Sequence, residues 1–244
     1  MIRKQIPNLL TLCNLTCGAL AAYMAALGWL HRAALLMMCG ILFDFFDGFA
    51  ARMLKVSSPM GKELDSLADV VTSGVAPAFI LFRMLMCYHG WHYWALLAFL
   101  MPAFAAYRLA KFNLDERQHE SFLGLPVPSN ALIWAALGIC VVHPDWAQVA
   151  LLPVPGIDRL LLSNTALIVL VTVSMLTNIL MVSELPMLGL KFKTFGWKGN
   201  ELKYILLIGA ALLIVLFGIF GIALAILWYI LLSVITSTKL CSKS

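Results

Sequence analysis

A chain of 244 residues that is 62% hydrophobic and only 12% charged, with a mean hydropathy of +0.94, is far from a soluble domain, which is about half apolar and about a quarter charged. The excess lies in long runs, so it marks membrane spans rather than one large core. The net charge of +5 does not mark a nucleic-acid binder, because the basic residues sit in short loops between apolar runs, as the positive-inside bias requires.

Eight apolar segments follow one another, at about 9–30, 33–54, 66–87, 91–111, 129–143, 162–182, 202–217 and 219–237. Arg3 and Lys4 give the first the look of a signal peptide, but the run from Leu9 to Leu30 has membrane length, and it is read as an uncleaved span. Asn8, Thr11 and Asn14 recur every three residues and lay a polar stripe along its start. The fifth segment is short, and only Gly218 parts the last two. Six spans with another C-terminal arrangement is therefore the alternative to eight. The cysteines (Cys13, Cys17, Cys39, Cys87, Cys140 and Cys241) form no CxxC pair and mostly lie within apolar runs, which argues against a disulfide framework or a zinc site.

Charge sets the expected orientation. With the N-terminus in the cytoplasm and the segments alternating, Arg3, Lys4, Arg52, Lys55, Lys62, Arg108, Lys111, Arg117, Lys191, Lys193, Lys198, Lys203, Lys239 and Lys243 all fall inside. Only Arg32, Arg83 and Arg159 of the 17 Lys and Arg fall outside. So uneven a split favours an even number of spans and cytoplasmic termini.

The stretch that carries chemistry reads Asp44-x2-Asp47-Gly48-x2-Ala51-Arg52-x8-Gly61-x3-Asp65-x3-Asp69. Asp44 and Asp47 share one helical face, and so do Asp65 and Asp69. The pairs lie at the cytoplasmic ends of consecutive spans, and a short turn over residues 55–64 can bring them together. Four converging carboxylates repel one another and call for hard divalent cations, Mg2+ or Mn2+, which prefer oxygen ligands and bridge to phosphates. Two such ions about 3.5–4 Å apart can clamp the attacking and leaving oxygens of a phosphoryl group. Gly48 lets a nucleotide approach the helix backbone, Ala51 keeps the same face open, and Arg52 offers a planar cation suited to phosphate. Interfacial charges at helix ends would account for any one of these residues, but not for all of them at these spacings. Ionisable groups at span depth are functional by default.

This stretch resembles the signature of the CDP-alcohol phosphatidyltransferase family, and every fixed position of that signature is filled. The resemblance implies an all-α, polytopic membrane fold with a six-helix core and usually a homodimer. Residues 1–200 would form the membrane domain, and 201–244 a C-terminal two-helix hairpin and tail. It implies two divalent cations held by Asp44, Asp47, Asp65 and Asp69, with Asp69 as general base. It places the CDP group against Gly48, Ala51, Arg52, Gly61 and Asp65, and it favours Asn8 and Thr11 as contacts to the cytidine or ribose.

The acceptor alcohol is read further on. Arg108-Leu-Ala-Lys111-Phe112-Asn113 and then Phe122-Leu-Gly124-Leu-Pro126-Val-Pro128 resemble the phosphatidylserine synthase branch of the family. Met181-Val-Ser183 with Lys191 and Lys193 is also similar to that branch, whereas Asn130 departs from the small residue expected there. Arg108, Lys111 and Asn113 are the expected serine-binding residues, since serine brings a carboxylate that needs a cation. His31, His89, His92, His119 and His143 pair with no nucleophile and are read as interfacial.

The expected reaction transfers the phosphatidyl group of CDP-diacylglycerol to the L-serine hydroxyl by direct attack, releasing CMP at the cytoplasmic side of the membrane, which would be the inner membrane of a bacterium. The substrates, the surrounding lipids and a second copy of the chain are the expected partners; nucleic acid is not. Within the family the rival is a phosphatidylglycerophosphate synthase, and outside it an ion-coupled transporter.

Overall fold

The computed structural model describes residues 5–56, 58–89, 93–114, 122–142, 151–152, 163–189, 196–197 and 200–241. Arg3, Lys4, His92, Arg117, His119, His143, Arg159, Lys191, Lys193, Lys198 and Lys243 lie outside them, as do the side chains of His89 and Lys239.

The described residues form eight helical rods in chain order. Helix α1 (Gln5–Ala26) and helix α2 (Leu30–Leu54) make a hairpin. The turn closes at Gly28, whose φ of 86° suits a residue without Cβ, and Trp29 N–H reaches back to Met24 O at 3.0 Å. The third rod runs from Pro59 to His89. It joins α3 (Pro59–Asp69), a π-helical turn (Val70–Val75) and α4 (Ala76–His89). A 3-10 turn (Tyr93–Phe99) leads into α5 (Leu100–Leu114). Then come α6 (Val127–Val142), α7 (Asn164–Val182), α8 (Glu201–Phe217) and α9 (Phe220–Cys241). Among the described residues, five rods are long and apolar enough to cross a membrane, and Val127–Val142 is a shorter apolar helix. The chain is thus an all-α protein of membrane type, with eight rods where eight apolar segments are expected.

Two boundaries differ from the sequence expectation. The first helix begins at Gln5 and ends at Ala26, so the polar stripe of Asn8, Thr11 and Asn14 is fully helical. The third begins at Pro59, where Ser58 caps it by accepting from Gly61 N–H at 3.0 Å. Serine at the cap with proline at the first helical position is a strong helix start, so much of the expected turn at 55–64 is already helix.

The short fifth segment is the centre of the bundle. Helix α6 buries twelve of its residues, Trp134 among them, and packs against α2, α4 and α9. Such all-round burial is the mark of a core helix. Small residues draw α1 and α2 onto the π-helical turn. A Cβ on Gly18 would collide with Thr72, and one on Gly40 would come within 2.7 Å of Thr72 Cγ2. Close backbone approach through glycine replaces the hydrophobic effect where the solvent is lipid. Thr72 also donates its hydroxyl to Asn14 O at 3.0 Å.

A two-residue antiparallel ladder pairs β1 (Phe122–Leu123) with β2 (Pro186–Met187). Gly124, at φ 73°, donates to Leu185 O at 2.9 Å, and Leu125 donates to Leu180 O at 3.0 Å. A side chain at Gly124 would run into the carbonyls of Leu180 and Ser183. The segment after α5 is therefore sewn to the end of α7.

Candidate active site

Helix α2 carries Asp44 and Asp47, and α3 carries Asp65 and Asp69. Carboxylate oxygens of Asp44, Asp47 and Asp65 lie within 4.8 Å of one another. Asp69 lies one turn beyond Asp65, buried, and within electrostatic reach of the other three. Among the described residues no lysine or arginine comes within ion-pair distance of any of the four. The first helix supplies the neutral donors. Thr11 donates to Asp47 Oδ2 at 2.6 Å, and Asn14 donates to Asp69 Oδ1 at 3.3 Å. Oδ1 of Asp65 is buried without a hydrogen-bond partner, a cost of roughly 1–3 kcal/mol or more for a group of this kind. An oxygen-only donor set with an orphaned acceptor fits hard divalent cations.

A cavity of about 550 Å³ opens beside the aspartates, lined by Asn8, Thr11, Asp47, Gly48, Ala51, Gly61 and Asp65 among others. This volume lies within the usual range for a small-molecule site. No atom lies within 4 Å of where a Gly48 Cβ would stand, so Gly48 contributes space rather than a contact. At Gly61 a Cβ would meet Asn8 Oδ1 and Ser58 Oγ, each at 3.1 Å, so glycine lets α3 pass close to α1. Arg52 is exposed at the end of α2 and is not part of the lining.

The three residues expected to meet serine differ in surroundings. Arg108 is buried, 8% exposed, with its Nε unpartnered and its guanidinium carbon 6.0 Å from the centre of the Phe112 ring. It lies within electrostatic reach of Asp69 and of the Tyr229 hydroxyl. Lys111 pairs with Glu184 at 3.2 Å. Asn113 donates to Ser66 Oγ at 2.8 Å, and its carbonyl accepts from Lys62 at 3.0 Å, which fastens the end of α5 to α3. A small hollow beside Arg108 is bordered by Phe112, Leu123, Met181 and Ser183.

The sequence pattern does not reveal Asn14 as the partner of Asp69 or Thr72 as the contact between the first three rods. The stripe of Asn8, Thr11 and Asn14 is the available signal for the first of these. Asn8 and Thr11 border the cavity, while Asn14 and Thr11 hold carboxylates.

Comparison with known proteins points to one family. The family model described as CDP-alcohol phosphatidyltransferase matches residues 4–157. The chain is 39% identical over 125 residues to a CDP-diacylglycerol–serine O-phosphatidyltransferase of Bacillus subtilis, covering 51% of this chain and 70% of that protein. It is 33% identical over 132 residues to a protein of the same description from Helicobacter pylori, covering 52% of this chain and 54% of that one. A third, from Mycobacterium leprae, is 29% identical over 246 residues, covering 97% of this chain and 72% of that protein. The matched region spans about half the length of the Helicobacter relative.

Proposed function

The chain belongs to the CDP-alcohol phosphatidyltransferase family, and on that premise we propose that it is a phosphatidylserine synthase. In this reading it transfers the phosphatidyl group of CDP-diacylglycerol to L-serine and releases CMP. The observation that carries the proposal is Arg108, a buried cation whose Nε has no hydrogen-bond partner, within electrostatic reach of Asp69. The descriptions of the Bacillus, Helicobacter and Mycobacterium relatives support the same acceptor.

Asp44, Asp47, Asp65 and Asp69 are the residues that would hold two divalent cations, Mg2+ or Mn2+. When bound, such a pair supplies positive charge against the pyrophosphate and the departing CMP. The cavity bordered by Asn8, Thr11, Gly48, Ala51 and Gly61 receives the cytidine nucleotide, and Arg52, outside that lining, is left to the phosphates. Asp69 accepts the proton of the serine hydroxyl, and Asn14 fixes which of its oxygens is free to do so. The serine oxygen then bonds to the phosphorus next to the diacylglycerol as the bond to CMP breaks. Arg108 holds the serine carboxylate through paired N–H donors. Lys111 is engaged by Glu184 and stands behind Arg108, and Asn113 keeps α5 against α3 so that Arg108 faces Asp69.

The proposal extends to placement. The distribution of Lys and Arg supports cytoplasmic termini and a cytoplasmic aspartate face. Residues 1–200 form the membrane domain that carries the signature, 201–244 the hairpin and tail, and the working form is a homodimer, as the family resemblance implies. The transporter reading gives way to the family assignment. A phosphatidylglycerophosphate synthase would meet a doubly anionic acceptor, and the engagement of Lys111 by Glu184 favours the singly carboxylated serine.

The test is CMP release by purified protein given CDP-diacylglycerol and, separately, serine, glycerol 3-phosphate, inositol and choline. Release that depends on serine is expected. Release with glycerol 3-phosphate and none with serine would reassign the acceptor.

A further inference from the structure

The turn between α1 and α2 lies far from the aspartates, roughly 20 Å along α2 from Asp44 at the helical rise per residue. Two arginines meet it. Arg83 of α4 reaches up to the turn, where a Cβ on Gly28 would stand 3.0 Å from its Nη2 and 3.1 Å from its Nε. Arg32, in the first turn of α2, lays its guanidinium carbon 4.7 Å from the centre of the Trp29 ring. Gly28 and Trp29 are neighbours in the chain, so both cations border one turn. No acidic side chain among the described residues pairs with either of them, and Nε of Arg83 is buried without a hydrogen-bond partner. The end of α1 does not need Arg83 as a cap. The carbonyls of Tyr23, Met24 and Ala25 already accept from the amides of Leu27, Trp29 and Gly28, at 3.1, 3.0 and 2.9 Å. The start of α2 adds to the positive side, since Trp29 gives its first amides no side-chain acceptor.

We propose that this turn, with Arg83 and Arg32, binds the phosphate of an anionic phospholipid in the leaflet opposite the aspartate face. A half-buried guanidinium without an anion is costly at a membrane boundary. The anion that a bilayer offers at that level is the lipid phosphate, and the planar fork of arginine matches its oxygens. Trp29 is exposed and of the kind that settles among head groups. Arg83 is the principal contact, and Arg32, held against Trp29, is the second. A phosphate taken by Arg83 at Gly28 ties α4 to the α1–α2 hairpin, so the lipid acts as a clasp at the far end of the rods that carry the aspartates.

The experiment adds phosphatidylglycerol, or phosphatidylcholine as the zwitterionic reference, to the purified full chain in detergent and counts retained lipid by native mass spectrometry. Wild type is expected to retain phosphatidylglycerol in preference. Arg83→Gln should lower that retention on the order of tenfold, the effect of losing hydrogen bonds to a charged group. Arg83→Lys, which keeps the charge but not the fork, should fall between the two, and Arg32→Gln should lower retention by less than Arg83→Gln. Lys55→Gln removes a cation from the other end of α2 and should leave retention within about twofold. If Arg83→Gln does not fold, Arg32→Gln decides alone, because Arg32 is exposed. Equal retention of the two lipids by wild type, unchanged retention in the arginine variants, or an equal loss in Lys55→Gln overturns the proposal. Displacement of the lipid by inorganic phosphate alone also overturns it, in favour of a site for the free anion. So does dissociation of a dimer in Arg83→Gln at unchanged lipid retention, which would give the arginines to an acidic group of a second copy.

Discussion

Asn14 on the first helix donates to Oδ1 of Asp69 on the third at 3.3 Å, so the proposed base is held from a helix that carries none of the signature. Asn14 is itself fixed by its carbonyl, which accepts from Thr72. Replacing Asn14 with Leu removes the donor and leaves a carboxylate free to rotate. The expected outcome is a fall of roughly 10- to 100-fold in kcat, the effect of one hydrogen bond to a charged group, with little change in KM for CDP-diacylglycerol. Steady-state kinetics on purified protein measures both. A rise in that KM without a fall in kcat would move Asn14 to the nucleotide site.

Removal of any one of Asp44, Asp47 or Asp65 should abolish nearly all turnover, because each carboxylate belongs to one shared cluster. Activity should vanish in excess chelator and return with Mg2+ or Mn2+. Binding can be read without turnover, by the loss of the free Mn2+ signal in electron paramagnetic resonance on titration with protein. Asp44→Ala should weaken that binding strongly. Asp69→Asn should retain binding while losing the ability to take the serine proton. Full turnover in excess chelator would sink the metal assignment.

The spacing of the four aspartates was enough to place them on two helical faces and to suggest that those faces meet, because helical periodicity is a local rule. The number of rods was equally legible from the apolar runs, and the short fifth run survived as the most buried helix. The π-helical turn was not legible. Val70-Val71-Thr72-Ser73-Gly74-Val75 has the composition of ordinary apolar helix, and its packing against α1, α2 and α5 is not encoded in that local composition. The partner of Lys111 was hidden for another reason. It is Glu184, and so distant a pair arises only from the packing of whole rods.

Arg108 and Lys111 share a helical face but not a fate, and their alanine variants should separate them. Arg108→Ala removes a buried cation. It should raise the serine KM so that kcat/KM falls by roughly 30- to 1,000-fold, in line with loss of one partner of a buried charged contact. Lys111→Ala opens a pair whose side chains are 30% and 64% exposed. Exposed pairs contribute about 0–1 kcal/mol, so a change below about fivefold is expected. Equal losses in the two variants would place both cations on the acceptor.

Orientation can be checked at two exposed positions on successive connections. Lys55 follows α2, and Tyr93 opens the 3-10 turn before α5. In a variant lacking the six cysteines, Lys55→Cys should react with an impermeant thiol reagent only from the cytoplasmic side, and Tyr93→Cys only from the other. Labelling of both from one side would contradict the alternation of spans.

The π-helical turn at Val70–Val75 makes the third rod work as a phase shifter. An α-helix turns about 100° per residue, so one residue taken up in a wider turn offsets everything after it by about that angle. Before the turn, the rod shows its acidic side to α1 and α2. After it, Ile80, Leu81 and Leu85 are sealed in the core, and a Cβ on Gly138 of α6 would come within 2.7 Å of Ile80 Cγ2. A single uniform helix could not hold both alignments at once. The carboxylates are therefore aimed by the winding of the segment behind them as well as by their own spacing. Deleting one residue there would leave every letter of the signature intact while swinging Asp65 and Asp69 away from Asp44 and Asp47.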